Sequence, residues 1–135
     1  MSQENVRIVK AGSEAWIRGD LNAFFEVCDP AVEWDTSNFE GWPEDDVYHG
    51  QAGVRRFLED WRASWEQYEA GVEEYFDIDG GRVLALWWQR GEGHGSRIRV
   101  QMDWALICTL KDGLVCRMEA FSDRREALKT VGLAG

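Results

Sequence analysis

The sequence predicts an α+β fold, in which helices cover one face of a long, curved antiparallel sheet and the concave side encloses a pocket. In the first half of the chain, apolar residues recur at steps of three and four, which indicates amphipathic helices. From Val72 onward, apolar and polar residues alternate, and turn signals at 79–81 and 111–113 divide the alternating run into strands. With 135 residues the chain is long enough for one hydrophobic core. We therefore predict a single domain over residues 1–135.

The chain opens with a predicted pair of helices. Ser2 is a candidate N-cap for the first, and Gly19 supplies a position that ends it. Asp20 is a candidate cap for a second, short helix over residues 21–28. The Asp-Pro pair at 29–30 should break this helix, because the residue before a proline avoids helical dihedral angles.

Two short predicted strands, at residues 31–35 and 47–49, flank an acidic and aromatic loop. The loop carries Glu40, Asp45 and Asp46 next to glycine and proline, and we predict that these acids are solvated charge.

Residues 53–68 form the clearest predicted amphipathic helix in the chain, because six apolar residues recur at steps of three and four. These residues are Val54, Phe57, Leu58, Trp61, Trp65 and Tyr68.

The strand before the 111–113 turn divides its residues between two faces. Met102, Trp104 and Leu106 share one face, and Arg99 and Asp103 share the other. Only one face can be core, so we predict that the apolar face lines the pocket and that the Arg-Asp pair lies outside. A capping box formed by the acids at 123 and 126 then opens a last short helix.

Composition argues against several classes of protein. Fifteen basic and twenty-five acidic residues give a formal charge of -10, which repels phosphate backbones and anionic lipid. No window approaches the roughly 20 apolar residues that span a bilayer. We expect no nucleic-acid partner, no membrane association and a cytoplasmic protein. Three widely spaced cysteines and two histidines lack metal-ligand spacing, so we also predict no metal site. The reactions considered below need no cofactor, and we predict none.

Three segments together cover nearly the whole chain and resemble the nuclear transport factor 2-like superfamily, within it the SnoaL-like and ketosteroid isomerase-like group. They read AWIRGDLNAFFEVCDPAVEWD, YHGQAGVRRFLEDW and KDGLVCRMEAFSDRREALKTVGL. The resemblance implies a cone-shaped, cystatin-like α+β barrel with a mixed sheet and helices on its concave side. It also implies a deep apolar pocket for a small hydrophobic molecule and a homodimer, which we expect to form through the outer sheet face.

The resemblance places Asp35 where ketosteroid isomerase-like proteins keep a general base. Such a base needs a partly apolar setting, which Trp34 and Trp42 could supply. Tyr48 and His49 are the available hydroxyl and imidazole partners, so we predict these three residues as the catalytic group. The alternative is that Asp35 caps the turn after its strand and faces water.

Proton abstraction also needs donors for the developing oxyanion. The resemblance implies a tyrosine in the first helix and an aspartate in a later strand, but this sequence has Gly12 at the first position and Ala105 or Leu106 at the second. Steroid isomerisation by that mechanism is therefore disfavoured.

Aromatic and sulfur-containing side chains dominate the predicted pocket. Its predicted lining is Trp16, Trp34, Trp61, Trp65, Met102, Trp104, Leu106 and Met118. The indoles either line an open cone or fill it, and the sequence leaves both alternatives open.

Three functions follow from these alternatives. The first is binding of a polycyclic or aromatic molecule, with cofactor-free isomerisation, cyclisation or dehydration through Asp35. The second is a non-catalytic ligand-binding or dimerisation module. The third is an epoxide hydrolase-like enzyme, which requires Arg99 and Asp103 to face inward.

Overall fold

The computed structural model describes residues 2–39, 47–93, 95 and 98–133. Within these residues the chain forms four helices and six strands. They are α1 (Ser2–Ile17), α2 (Leu21–Glu26), β1 (Cys28–Asn38), β2 (Val47–His49), α3 (Gly50–Ala63), β3 (Trp65–Asp77), β4 (Arg82–Gly93), β5 (Arg99–Lys111), β6 (Leu114–Phe121) and α4 (Arg124–Thr130). The strands make one curved mixed sheet in the order β2-β1-β6-β5-β4-β3, in which only the described pairing of β1 with β6 is parallel. The predicted α+β class is confirmed.

The sheet has an inner face, covered by α1, α2 and α3, and an outer face against which α4 packs. The main core lies on the inner side, where Trp104, Leu106 and Cys108 of β5 meet apolar residues of the first three helices. The alternate β5 residues Ala105 and Ile107 join a smaller cluster beneath α4. The predicted division of β5 into two faces is therefore confirmed.

Local signals fix most of the turns and helix ends. Asp20 caps α2 by accepting a hydrogen bond from the backbone N–H of Ala23 at 3.0 Å. Asp123 caps α4 through the N–H of Arg125 at 2.9 Å. The turn between β5 and β6 lies within the predicted residues 111–113. Asp112 and Gly113 both have positive φ, at 53° and 80°, as a tight hairpin requires.

β1 begins earlier than predicted, at Cys28, so the Asp-Pro pair lies inside a strand and not between a helix and a strand. The extended conformation favoured before Pro30 is the reason, because it continues directly into strand geometry. Pairing with β6 shifts register between Cys28 and Glu33, and this irregularity accommodates a residue without an N–H.

The predicted helix over residues 53–68 is wrong at its C-terminal end. α3 ends at Ala63, and Trp65 and Tyr68 belong to β3. Gln67 has a φ of 53°, and the pairing of β3 with β4 shifts register between Glu66 and Glu69. The bulge adds one residue to the strand, so the residues on either side of it lose their alternation by two. Trp65 and Tyr68 are therefore three residues apart in a strand, a spacing that in the sequence resembles that of a helix.

Several predictions lie outside the described residues. They concern the acidic loop at 40–46 with Trp42 and the side chain of Ser2, the candidate N-cap. Among the helices that the structure describes, none has both the length and the apolar character needed to cross a membrane.

Candidate functional site

An apolar cavity lies between the inner face of the sheet and the first three helices. It offers about 60 Å³ of space for the centres of water-sized molecules. Six of the eight predicted pocket residues contribute to its wall, namely Trp16, Trp34, Trp61, Trp104, Leu106 and Met118. The cone is thus neither fully open nor fully filled, because aromatic side chains occupy most of it.

Two predicted pocket residues do not line the cavity. Trp65 packs outside it, against Trp61 and Tyr68 with ring centroids 5.7 and 5.9 Å away. It also covers Gly91, where a Cβ atom would lie 2.9 Å from the indole. Met102 contacts the wall from behind, since its sulfur accepts a hydrogen bond from Gln89 at 2.9 Å.

A buried chain of hydrogen bonds contributes the main polar part of the wall. The Trp16 indole N–H donates to the Tyr68 hydroxyl at 3.1 Å, and this hydroxyl donates to the side-chain oxygen Oε1 of Gln89 at 3.0 Å. Burial raises the pKa of Tyr68, which keeps the hydroxyl protonated at neutral pH. Tyr68 was missed because the sequence pattern placed it on a helix. Gln89 could have been found, because it is two residues from Trp87 in a strand and so shares its face.

The ionisable groups of the wall are poor acids. Cys28 and Cys108 both line the cavity, and burial raises the pKa of Cys28 to about 12 and that of Cys108 further. Within residues 2–39, 47–93, 95 and 98–133, no carboxylate or imidazole lines it. The described wall is therefore uncharged at neutral pH.

Asp35 lies on the outer face of β1 and not at the cavity. Its inner neighbours Trp34 and Thr36 line the cavity, whereas the Asp35 carboxylate accepts a hydrogen bond from Arg117 Nη2 at 2.6 Å. The same carboxylate accepts from the backbone N–H and hydroxyl of Ser37 at 2.8 and 2.6 Å. The expected apolar setting is therefore wrong, because strand alternation turns Asp35 away from the indole of Trp34 and toward a cation of β6.

The structure does not bring Asp35, Tyr48 and His49 together. His49 lies opposite Glu33 across the β1–β2 pairing, and its Nδ1 is 3.1 Å from a Glu33 carboxylate oxygen. Tyr48 has the opposite parity and stacks on Phe57 at a centroid distance of 4.6 Å, against the main core.

Arg99 and Asp103 also lie outside the cavity. In the described part of the chain, Asp103 lies 3.9 Å from Arg124, and Arg99 lies the same distance from Glu92. More than half of the Arg99 and Asp103 side chains is exposed. The inward arrangement that epoxide hydrolysis requires is absent from these residues.

Metal-ligating side chains do not cluster in the described part of the chain: it has no group of three His, Cys, Asp or Glu residues arranged to hold an ion.

Residues 9–118 match the family model described as the SnoaL-like domain. The chain belongs to the SnoaL-like family. This family is part of the nuclear transport factor 2-like superfamily, so the resemblance seen in the sequence is confirmed. None of the curated proteins compared with this SnoaL-like chain matches it.

Solved structures similar to this SnoaL-like chain support the same fold. TerC, co-crystallised with polyporic acid, is 18% identical with a TM-score of 0.76, over 95% of this chain and 98% of TerC. A nuclear transport factor 2-like protein from Burkholderia xenovorans LB400 is 25% identical with a TM-score of 0.74, over 97% of each chain. A proposed SnoaL-like polyketide cyclase from Jannaschia sp. CCS1 is 20% identical with a TM-score of 0.77, over 99% of this chain and 94% of the other.

The positions at which the resemblance implies oxyanion donors are apolar in this SnoaL-like protein. Gly12 and Leu106 both line the cavity, and Ala105 faces the outer side beneath α4. The wall therefore has neither the tyrosine nor the aspartate that ketosteroid isomerase-like chemistry uses at these positions.

Proposed function

We propose that this SnoaL-like protein binds a small, uncharged aromatic or polycyclic molecule in its inner cavity. The observation that carries the proposal is the cavity itself, whose described wall is apolar, aromatic and uncharged. An uncharged hydrophobic molecule loses little hydration on entering such a wall, whereas an ion would be left without a counter-charge. The co-crystallisation of TerC with polyporic acid adds support from a similar fold.

The size of the cavity limits the ligand and predicts a movement. An engineered apolar cavity of about 150 Å³ accommodates benzene, and the cavity described above, at about 60 Å³, is smaller. A ring can enter only if some of the aromatic side chains move. We therefore expect compact molecules of one or two rings to bind more tightly than larger ones.

The geometry favours ligand binding without acid-base catalysis by Asp35. Arg117 and Ser37 occupy the Asp35 carboxylate, and β1 separates this carboxylate from the cavity. Of the three functions that the sequence left open, a non-catalytic ligand-binding module fits these contacts best.

The homodimer remains part of the proposal. α4 covers Leu84, Ala105 and Ile107 on the outer face. A second copy would therefore contact the part of that face that α4 leaves uncovered. Sedimentation equilibrium of the purified chain tests this directly, and a monomer at all concentrations would remove it.

The binding test uses tryptophan fluorescence with toluene, indane and fluorene as probes of increasing size. Ala120 is buried in the wall, whereas Ala31 is exposed on the same sheet. We expect Ala120→Leu to weaken binding of the best probe by about tenfold or more, because the added side chain occupies the cavity. Ala31→Leu, a matched control with the same added volume, should leave the affinity unchanged.

Asp35→Asn completes the test. A catalytic or binding role at the cavity predicts a large loss of affinity, whereas the outer position predicts a change of less than about twofold. The proposed function fails if no probe saturates the wild-type protein or if Ala120→Leu binds as well as wild type.

A further inference from the structure

Among the residues that the structure describes, three buried indole N–H groups in the cavity wall find no hydrogen-bond acceptor. They belong to Trp34, Trp87 and Trp104, which are 7%, 3% and 7% exposed, and all three residues line the cavity. Buried polar groups in native proteins are nearly always hydrogen-bonded, so three unpaired donors around one cavity need an explanation.

Other donors in the same wall do have partners, which makes the three indoles a distinct set. Trp16 donates to the Tyr68 hydroxyl, and the Tyr68 hydroxyl donates to Gln89. Trp61 also hydrogen-bonds to Tyr68. The Tyr68 oxygen thus accepts from two indoles, and none of the three unpaired indoles reaches the side-chain oxygen of Gln89.

Two of the unpaired donors are adjacent. Trp87 and Trp104 lie opposite each other across β4 and β5, and their rings stack at 5.4 Å with an angle of 21°. Trp34 approaches the cavity from β1, where its ring contacts that of Phe57 at 5.4 Å. The three indoles therefore line two sides of the same apolar space, and their nitrogens are buried beside it.

We propose that Trp34, Trp87 and Trp104 form a donor subsite that binds an uncharged oxygen acceptor, above all a carbonyl oxygen, on the molecule in the cavity. This inference rests on the proposed function and adds the chemical class of the ligand to it. A carbonyl oxygen has two lone pairs and can accept two N–H groups at once, and it carries no proton that needs an acceptor of its own. A carboxylate is disfavoured, because the described wall has no cation to balance it.

The subsite is buried behind the rings that line the small cavity. Each of the three nitrogens has almost no accessible surface, so a ligand reaches them only by displacing the rings that now pack together. A bare hydrocarbon that enters would leave the three donors unpaired. A ketone of the same shape would pair at least one of them, so the ketone should bind more tightly.

Indane and 1-indanone are a matched pair for the test, because they differ at a single carbonyl group. We expect 1-indanone to bind the wild-type protein roughly threefold to tenfold more tightly than indane, the contribution of one net hydrogen bond. The protein has eight tryptophans. Each indole N–H gives its own resonance in ¹⁵N-labelled protein, and the resonances of residues 34, 87 and 104 are assigned by their loss in the corresponding Trp→Phe variants. 1-Indanone should shift at least one of these three resonances downfield, and indane should not.

Trp104→Phe and Trp61→Phe are the matched variants. Both residues line the cavity, but the Trp61 N–H already has a partner. The preference for the ketone should fall by the same threefold to tenfold in at least one of Trp104→Phe, Trp87→Phe and Trp34→Phe, and should persist in Trp61→Phe. The remaining indole resonances report whether each variant is folded. If one does not fold, the wild-type shifts, with the assignments from the variants that fold, still decide the question.

The outcomes separate this inference from the proposed function. If indane and 1-indanone bind equally and shift the same resonances, the cavity binds ligands but the donor subsite is wrong. The same holds if bound water already accepts from the three indoles and the ketone gains nothing. If neither compound, nor any probe of the fluorescence series, changes an indole resonance, the proposed function itself fails.

Discussion

On the outer face of β1, Glu33 and Asp35 each accept a hydrogen bond from Arg117 at 2.6 Å, whereas on the inner face the Trp34 indole N–H has no acceptor among the described residues. The same strand thus carries satisfied charges on one side and an unsatisfied neutral donor on the other. Asp35 is nearly as buried as Trp34, at 8% against 7% exposed, so burial does not explain the difference.

The contrast separates stability from recognition. A buried carboxylate without a partner is very costly, and in this chain Arg117 and Ser37 supply the partners of Asp35. A neutral donor without a partner costs less and is available for a ligand. We infer that the outer charges hold β1 on β6 and that the inner donors serve binding, and three substitutions test this division.

Arg117→Ala should have the largest effect on stability. It leaves Glu33 and Asp35 next to each other without their shared cation, and we expect a loss of roughly 2–3 kcal/mol in the free energy of unfolding. Arg117 is one-third exposed, which is why this figure is below the range for a fully buried pair. Urea denaturation at neutral pH measures it.

Arg90→Ala is the control for this prediction. Its partner Glu69 is exposed, so the loss should be below about 1 kcal/mol. Equal losses in the two arginine variants would mean that the outer cluster is ordinary surface charge. A loss of indane affinity in Arg117→Ala, at a temperature where it is folded, would mean that the two faces are not independent.

Local signals made the fold predictable, and long-range pairing limited the prediction of the site. The caps Asp20 and Asp123 and the two faces of β5 follow from spacing alone, and the structure confirms them. Asp35 was expected at the cavity because of its position in the family. Its actual partner, Arg117, is 82 residues away along the chain and meets it only through the parallel β1–β6 pairing.

Strand alternation predicts the correct orientation of Asp35, but the prediction of the site followed the family position instead. If Trp34 faces inward, Asp35 must face outward. Tyr68 is different, because no pattern in the sequence marks the positive φ of Gln67 that separates it from the preceding helix. A bulge is fixed by tertiary pairing, so its effect on side-chain direction could not be read from local periodicity.

Gln89→Leu tests the polar chain on the inner face. Gln89 is fully buried, and its loss leaves the Tyr68 hydroxyl without its acceptor. We expect a loss of roughly 1–2 kcal/mol, because the unpaired hydroxyl stays away from water. The exposed Gln101 lies on the neighbouring strand, and Gln101→Leu should change stability by less than about 0.5 kcal/mol.

The double variant Tyr68→Phe, Gln89→Leu makes this prediction sharper. Removing both partners of a buried hydrogen bond costs less than removing one. The double variant should therefore be more stable than the sum of its single variants predicts. Strict additivity would show that Tyr68 and Gln89 do not depend on each other, and the inner face would then lack the connected chain described here.

The smallest expected effect is the change that Cys28→Ala makes in the pH dependence of stability, which appears only at high pH. Burial raises the pKa of the Cys28 thiol from 9.0 to about 12. Between these values the unfolded chain loses the proton and the folded chain keeps it, so the unfolded state binds fewer protons and stability falls as pH rises. From pH 9 to 10 the wild type should lose about 1 kcal/mol more than Cys28→Ala. Urea denaturation of both proteins at each pH gives the difference, and the cost of the missing sulfur cancels in it. If the two proteins lose stability in parallel, then water reaches Cys28, and the apolar inner face on which both the cavity and the unpaired indoles depend is open to solvent.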